Sequence, residues 1–535
     1  MPTALRGVNA NHIARHIPKR TFQDSFKECD TWFAPSVPGS PTAVDSNGFP
    51  TADWPVQTRL WTNAQGHYLA GTYTVTFAGT GQIDITGDAT ATINTTGGTF
   101  TVTTPSDTGI LFVITSSSAS PNHVRNIKVV HSSFLATFST QPIDPTYAAW
   151  MGSAGSIIRF MDPAGTNDSL QELWANRPTV TYFTQNSASS AQATGLARGM
   201  AVQHMIQLCN LANCSAWWCV PHMADDDYVT QAATLFAAGL NPGLKLYIEY
   251  SNEIWNGQFS GQFDYCKDQG ALLGLGSNDT QNRHRFQKVR SIEIFDLVAA
   301  VFGGTERLVR ILAGQLTVPS VLEEAMNFHT SDNGKVDSLS VTTYFMGTVG
   351  SPTGNPSGRK PTTLDHVFTD IALERPARLA VLDTAMASIA AYGKPMESYE
   401  GGGALITTGA WTADQTLQAL FNTASRDSRM YDAYRLQLND MAYRGIRTLM
   451  HYADIFAYTL TNSPARWGLA EYVGQDLGET PKLRAWLDNW AINGLGGGPS
   501  LASMGSAMDS GSIERAINEA FAFQPRVGRM RPGRS

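Results

Sequence analysis

The chain is poor in charge. Only 16% of its 535 residues are Asp, Glu, Lys or Arg, against roughly 25% in ordinary soluble domains. The net charge is −7, which argues against the basic footprint of a general nucleic-acid binder. With 42% hydrophobic residues, the chain also lacks the composition of a disordered protein. Cysteine is scarce and odd in number: Cys29, Cys209, Cys214, Cys219 and Cys266. An odd set in a long chain is not a disulfide framework. The five-residue spacing of Cys209, Cys214 and Cys219 fits zinc poorly, so buried free thiols are expected and no metal. No apolar run reaches the roughly 18 residues of a membrane span. The N-terminal MPTALRGVNANHIARHIPKR lacks the apolar segment of a signal peptide. No GxGxxG motif follows a first strand, which weighs against a dinucleotide cofactor.

What is present divides the chain into four parts. Residues 1–20 carry Arg6, Arg15, Lys19 and Arg20 and no acid, and read as a basic arm. Residues 21–145 are rich in Thr, Val, Ile and Gly, in short alternating runs such as GTYTVTFAG, GQIDITG and GILFVITS. Such runs, punctuated by turn residues, predict an antiparallel β-sandwich. From 146 to 492 apolar runs alternate with helical periodicity. Strands are expected at 156–162, 179–183, 216–222, 244–250, 307–314, 338–345, 395–402 and 447–454, which predicts a (β/α)8 barrel; a doubly wound open sheet would fit the same alternation. Residues 493–535 open with GLGGGPS, a linker, and end in the basic RVGRMRPGRS. The stretch 512–521 has the spacing of a short amphipathic helix.

In such a barrel the chemistry sits at the C-terminal ends of the strands. The fourth predicted strand ends in YIEYSNEIWN, placing Asn252 and Glu253 at the rim, and the seventh ends in ESYEGGG, placing Glu400 there. Tyr344 ends the sixth, His222 the third, and Arg159 and Asp162 the first; Trp467 follows the eighth. Two facing carboxylates are what glycoside hydrolysis needs: one protonated to assist the leaving oxygen, one ionised to attack the anomeric carbon. They stand about 5–5.5 Å apart in retaining enzymes and roughly 6.5–9.5 Å in inverting ones. A Tyr can hydrogen-bond the nucleophile, an Asn a sugar hydroxyl, and a Trp can floor the sugar ring. Glu397 rivals Glu400, but strand alternation puts positions 397 and 400 on opposite faces, and Glu400 abuts the glycines. Asp225, Asp226 and Asp227 precede a helical run and read as its cap rather than as cation ligands. Taken alone, Glu253 would also suit the N-terminus of a helix.

SNE on strand four, Tyr on strand six, Glu closing strand seven and Trp after strand eight resemble the clan A retaining glycoside hydrolases. The closest resemblance is to the bacterial cellulase-like, "cellulose-binding" subgroup with the EYSNE(V/I)WN motif. IIRFMDPAGTND, WANRP, MIQLCN, CVPHMADDDYV, LKLYIEYSNEIWN and SYEGG carry it, with VRNIKVV at the end of the preceding β-domain. Together these span most of residues 50–475. The resemblance implies Glu253 as acid/base and Glu400 as nucleophile. It implies Asn252, Tyr344, Trp467, His222, Arg159 and Asp162 as substrate or nucleophile contacts. The substrate would be a polysaccharide, and no cofactor is implied.

A polysaccharide hydrolase without a signal peptide needs another route to its substrate. A phage tail protein released by lysis would have one, and residues 1–20 and 493–535 would then dock on other virion proteins. A cytoplasmic enzyme is the plainer setting. The alternative to an enzyme is a glycan-binding or structural virion protein that retains the barrel.

Overall fold

The computed structural model describes residues 5–37, 39–94, 97–459 and 466–488. The predicted tail at 493–535, with its helix at 512–521, lies outside the described residues. The first strand, β1 (Leu5–Asn9), falls within the segment expected to be an arm. Seven short antiparallel strands follow: β2 (Val56–Leu60), β3 (Gly71–Ala78), β4 (Gly81–Gly87), β5 (Ala91–Asn94), β6 (Gly97–Val102), β7 (Ile110–Ser117) and β8 (Arg125–His131). The remaining seven are β9 (Ile157–Arg159), β10 (Ser215–Val220), β11 (Leu246–Tyr250), β12 (Leu308–Ala313), β13 (Ser338–Phe345), β14 (Met396–Gly403) and β15 (Thr448–His451).

Strands β1 and β9–β15 close into an eight-stranded barrel, in which β1 joins β15 to β9. Both β1 pairings are parallel, with Leu5 opposite Thr448 and Gly7 opposite Ile157. The barrel interior is packed with side chains. Trp217 and Cys219 of β10, Tyr247 of β11, Val309 and Ile311 of β12 and Tyr399 of β14 form one buried cluster.

Residues 5–20 are therefore no arm, and the charges of Lys19 and Arg15 are answered within the fold. The buried Lys19 ammonium donates to the Asn11 carbonyl and stands 3.9 Å from Asp454. Arg15 pairs with Asp30 at 3.0 Å. Asn11 donates to the Ile455 carbonyl at 2.7 Å, tying the chain after β1 to the chain after β15. Removing residues 1–9 is expected to expose the edges of β9 and β15 and to abolish the cooperative fold. Near-UV circular dichroism and gel filtration would read this; loss of a free arm would leave the melting temperature unchanged.

The β-rich region is accordingly an insertion between the first barrel strand and the helix Pro145–Ala154. It rises from the C-terminal end of β1, the face on which barrel enzymes carry their sites. Its strands form two antiparallel sheets, ordered β2-β7-β4-β5 and β6-β3-β8. Alternation decides which side chains meet: Tyr73, Val75 and Phe77 of β3 share one buried cluster with Ile83 and Ile85 of β4 and with Ile110, Phe112 and Ile114 of β7.

The run expected as a strand at 179–183 is a turn. Its alternation serves packing instead: Tyr182 and Phe183 enter the insertion's core, where Phe183 stacks on Trp32 at 5.4 Å. One strand missed and one wrongly added offset each other, so β11, β13, β14 and β15 keep the fourth, sixth, seventh and eighth positions in the barrel. All five cysteines are buried free thiols.

Candidate active site

Arg159, the last residue of β9, organises the barrel mouth. All five of its guanidinium hydrogens are spoken for. Nε and Nη2 donate to the two carboxylate oxygens of Glu249 at 2.9 and 3.0 Å. Nη2 also donates to Asn252 Oδ1 at 2.8 Å. Nη1 donates to Asn9 Oδ1 at 3.0 Å and to Glu400 Oε1 at 2.8 Å. A planar fork so engaged cannot rotate, and it fixes four strands relative to one another. Arg159 lies 5.0 Å from the centre of the Tyr399 ring.

Glu400 lies in β14 and is 5% exposed. Its second oxygen accepts the Tyr344 hydroxyl at 2.8 Å. Glu253 follows β11 in a tight turn. Ser251 and Glu253 both have left-handed backbone, at φ +59° and +41°, a conformation costly for side chains of this type and concentrated at functional sites. No helix begins there: the next starts at Ser260, so Glu253 does not serve a helix terminus. Its oxygens accept the Tyr399 hydroxyl at 3.0 Å and the Asn256 amide at 2.8 Å.

Burial pushes both carboxyls above the ordinary range, Glu400 to about 8, and the neighbouring Glu253 adds to the rise at Glu400. The surroundings then separate them. Glu400 is pulled back by a direct ion pair with Arg159 and by the Tyr344 hydrogen bond. Glu253 receives its direct hydrogen bonds from neutral donors only. The two carboxyls thus sit in unlike surroundings, an arginine and a tyrosine on one and neutral donors on the other.

A bulge explains how two consecutive residues of β14 both serve the site. Val341 pairs with Ser398, and Thr342 with Glu400, leaving Tyr399 as the extra residue. The bulge re-aims the chain, so strict alternation between 397 and 400 does not hold. Glu397 is separated from Glu400 by height instead. Near the start of the strand, it is held by Arg447, whose Nε donates at 2.7 Å. The glycines do not end β14, which continues through Gly403. Gly402 has φ +126°, and a Cβ there would lie 2.7 Å from His451 Nε2.

The other expected residues fall at different distances from the pair. Asn252 is buried, with Oδ1 on Arg159 and its amide on Asn167 Oδ1 at 3.0 Å. Trp467 stands 5.1 Å from the Tyr344 ring and 5.6 Å from the Tyr452 ring, centre to centre. Asp162 accepts the Tyr452 hydroxyl at 3.0 Å and meets His12 Nε2 at 3.2 Å. His222 does not join this network. Its buried ring packs edge-on to Tyr265 at 5.3 Å, and burial lowers its pKa to about 4, so it is neutral. Asp225 caps the helix Asp226–Gly239, accepting the Tyr228 N–H at 2.7 Å.

Sequence reasoning missed Asn9, His12, Glu249, Asn256, Tyr399 and Tyr452. Asn9 and His12 were hidden with β1. Glu249 carried a usable signal, because it lies two residues beyond Tyr247 and so shares its inward face.

No protein-family model matches the chain, and no curated protein matches it. Similar folds occur among solved structures. A GH51 arabinofuranosidase from Xanthomonas axonopodis pv. citri is 13% identical over 58% of this chain and 59% of its own, with TM-score 0.34. A 4-O-alpha-L-rhamnosyl-beta-D-glucuronidase from Fusarium oxysporum 12S is 13% identical over 66% of this chain and 67% of its own, with TM-score 0.37. A Bacteroidetes-affiliated GH5 cellulase is 12% identical over 70% of this chain and 88% of its own, with TM-score 0.35. The chain thus spans about three fifths of the arabinofuranosidase.

Proposed function

We propose that the chain is a retaining glycoside hydrolase that cleaves a polysaccharide by double displacement. One observation supports this most: two buried carboxyls on opposite parts of the barrel rim have unlike partners, Glu400 an arginine and a tyrosine, Glu253 only neutral donors. Environment sorts such a pair into base and acid.

In the first step Glu400 attacks the anomeric carbon while Glu253 passes its proton to the leaving oxygen. The glycosidic bond breaks and a glycosyl ester forms on Glu400. In the second step Glu253, now ionised, takes a proton from water, whose oxygen displaces Glu400 from the sugar. Tyr344 and Arg159 hold Glu400 in place through both steps. Asn252 lies beside the acid for a sugar hydroxyl, and Trp467 with Tyr344 offers apolar faces for the ring. Asp162, through Tyr452, borders the same space, and His222 serves as a wall rather than as a ligand. No step needs a cofactor.

The phage-tail setting drew on the lack of a signal-peptide segment, with a basic arm and a basic tail as its docking elements. The arm is a barrel strand, and the tail lies outside the described residues, so no described feature supports that part. Among the described residues no helix is long and apolar enough to cross a membrane.

The test is reducing-sugar release from a panel of bacterial and plant polysaccharides, followed by proton NMR of the first sugar anomer released. The expected result is release with retained configuration. Inverted product would refute double displacement. Binding without release on the polymer bound would favour a glycan-binding protein with a barrel fold.

A further inference from the structure

Tyr399 reaches Glu253 through the barrel interior. It is the extra residue of the β14 bulge, fully buried among the inward side chains of β10 and β12. Polar contacts hold the bulge. Asn9 Nδ2 donates to the Tyr399 carbonyl at 3.0 Å. The Ser398 hydroxyl donates to the Glu400 carbonyl at 3.1 Å and lies 2.6 Å from the Thr343 hydroxyl. The backbone is thus fixed on both sides of the ring, and the Arg159 guanidinium lies over the ring itself.

From this position the Tyr399 hydroxyl meets two acceptors. Glu253 Oε1 is 3.0 Å away, and the carbonyl of Gly314, just after β12, is 3.5 Å away. A phenolic hydroxyl has one hydrogen, so it serves one acceptor at a time, and turning the O–H moves no heavy atom. Burial pushes the hydroxyl well above its ordinary pKa, so it keeps that hydrogen. The other donor to Glu253 is fixed. Asn256 Oδ1 accepts the Gln258 N–H at 3.0 Å, which orients the amide so that Nδ2 points at Glu253 Oε2.

We propose that Tyr399 is a positioning residue whose hydroxyl follows the state of the acid/base, donating to Glu253 when that carboxyl is ionised and turning to the Gly314 carbonyl when it is protonated. A carboxylate outcompetes a peptide carbonyl for the hydrogen; a carboxyl that has taken up a proton at Oε1 no longer does. The role rests on the hydrolase reading. In the first step one proton passes from Glu253 to the leaving oxygen, and the Tyr399 hydrogen turns to the carboxylate as its charge develops. In the second step water returns a proton to Glu253, and the hydrogen turns back. Tyr399 gives up no proton in either step.

Glu253 is faced by Arg159, Glu249, Glu400 and Tyr344 as well as by Tyr399. Burial raises its pKa, and the hydrogen bonds from Asn256 and Tyr399 draw it back. A hydrogen bond to the charged form favours that form, so its loss raises the pKa further.

The experiment is a pH titration of the full chain by carbon NMR, with label in the glutamate carboxyls and at tyrosine Cζ. It needs no substrate. Loss of a signal in Glu253→Gln assigns Glu253, loss in Tyr399→Phe assigns Tyr399, and Glu400→Gln is the background that removes the second titrating carboxyl. In that background Tyr399→Phe is expected to raise the Glu253 midpoint by about 1 pH unit. The Tyr399 Cζ signal is expected to move with the Glu253 midpoint and to stay flat in Glu253→Gln. Near-UV circular dichroism checks folding, and the Cζ reading in the protein with Tyr399 intact stands even if Tyr399→Phe does not fold. An unmoved Glu253 midpoint in folded Tyr399→Phe, or a Cζ signal flat through the Glu253 titration, would overturn the proposal. Reducing-sugar release by wild type is scored separately. A moved midpoint without release on the polymer bound would count against the hydrolase reading and leave the coupling of Tyr399 to Glu253 standing.

Discussion

Glu400→Gly is expected to lower turnover on the order of 10⁴-fold, about 5.4 kcal/mol of lost transition-state stabilisation, while leaving the fold intact. Turnover needs a nucleophile on the sugar face opposite the leaving group, and among the described residues Glu400 alone pairs a carboxylate with both Arg159 and Tyr344. Its removal leaves Arg159 still paired with Glu249 through two hydrogen bonds, so the buried cation keeps a counter-ion and the barrel should remain closed. Added azide would then enter the vacated space and attack the anomeric carbon directly. The product expected is a glycosyl azide of inverted configuration, identified by NMR. Glu253→Ala should behave differently. It loses the acid, worth roughly 10²–10⁴-fold, but a substrate with a good leaving group should still form the glycosyl ester on Glu400. Azide then opens that ester, giving the azide with retained configuration. Were Glu400→Gly to match wild type in rate, the assignment of the nucleophile would be wrong.

How much of this was legible in the sequence depends on whether neighbours in space were also readable along the chain. The insertion was visible because Thr and apolar residues alternate in runs such as GTYTVTFA, and both faces of each strand announce themselves. Glu253 and Glu400 were singled out because they stand at or near the C-terminal ends of expected strands, where barrel chemistry is carried. β1 was not visible. LRGVN is five residues with one charge and one glycine, and it becomes a strand only because β9 and β15 flank it from distant parts of the chain. TVTYF failed in the opposite sense: its alternation is real, but its aromatic residues fill the insertion's core rather than a sheet. The bulge at Tyr399 was beyond reach, since nothing in SYEGGG says that the tyrosine and the adjoining glutamate both aim inward. The charge on Glu249 was readable, but its role was not, because it depends on the guanidinium that the fold brings beside it.

That role has a measurable consequence in the second large effect. With Glu249 in place, the Arg159 charge is shared between two carboxylates, Glu249 through both oxygens and Glu400 through one. Glu249→Gln keeps the shape, and the Trp217 indole, now 2.8 Å from Glu249 Oε2, can still donate to an amide oxygen. The change removes one buried negative charge and leaves the Arg159 charge to act on Glu400 and Glu253 without its main counterweight. Both carboxyls prefer their charged forms near an uncompensated cation, so both pKa values should fall. The sign follows for the rate profile: the limb set by ionisation of Glu400 and the limb set by loss of the Glu253 proton both move to lower pH, by about 1–2 units. At neutral pH the variant should then be slow because Glu253 has lost its proton, and acidification should restore much of the rate. Carbon NMR of labelled glutamate carboxyls reads the same shift without turnover. A variant that loses activity equally at every pH would show that Glu249 only braces the barrel. Arg159→Ala is the contrasting case: it strands Glu249 and Glu400 as buried charges without a cation, at a cost of about 3–5 kcal/mol, and should fail by unfolding rather than by a shifted pH profile.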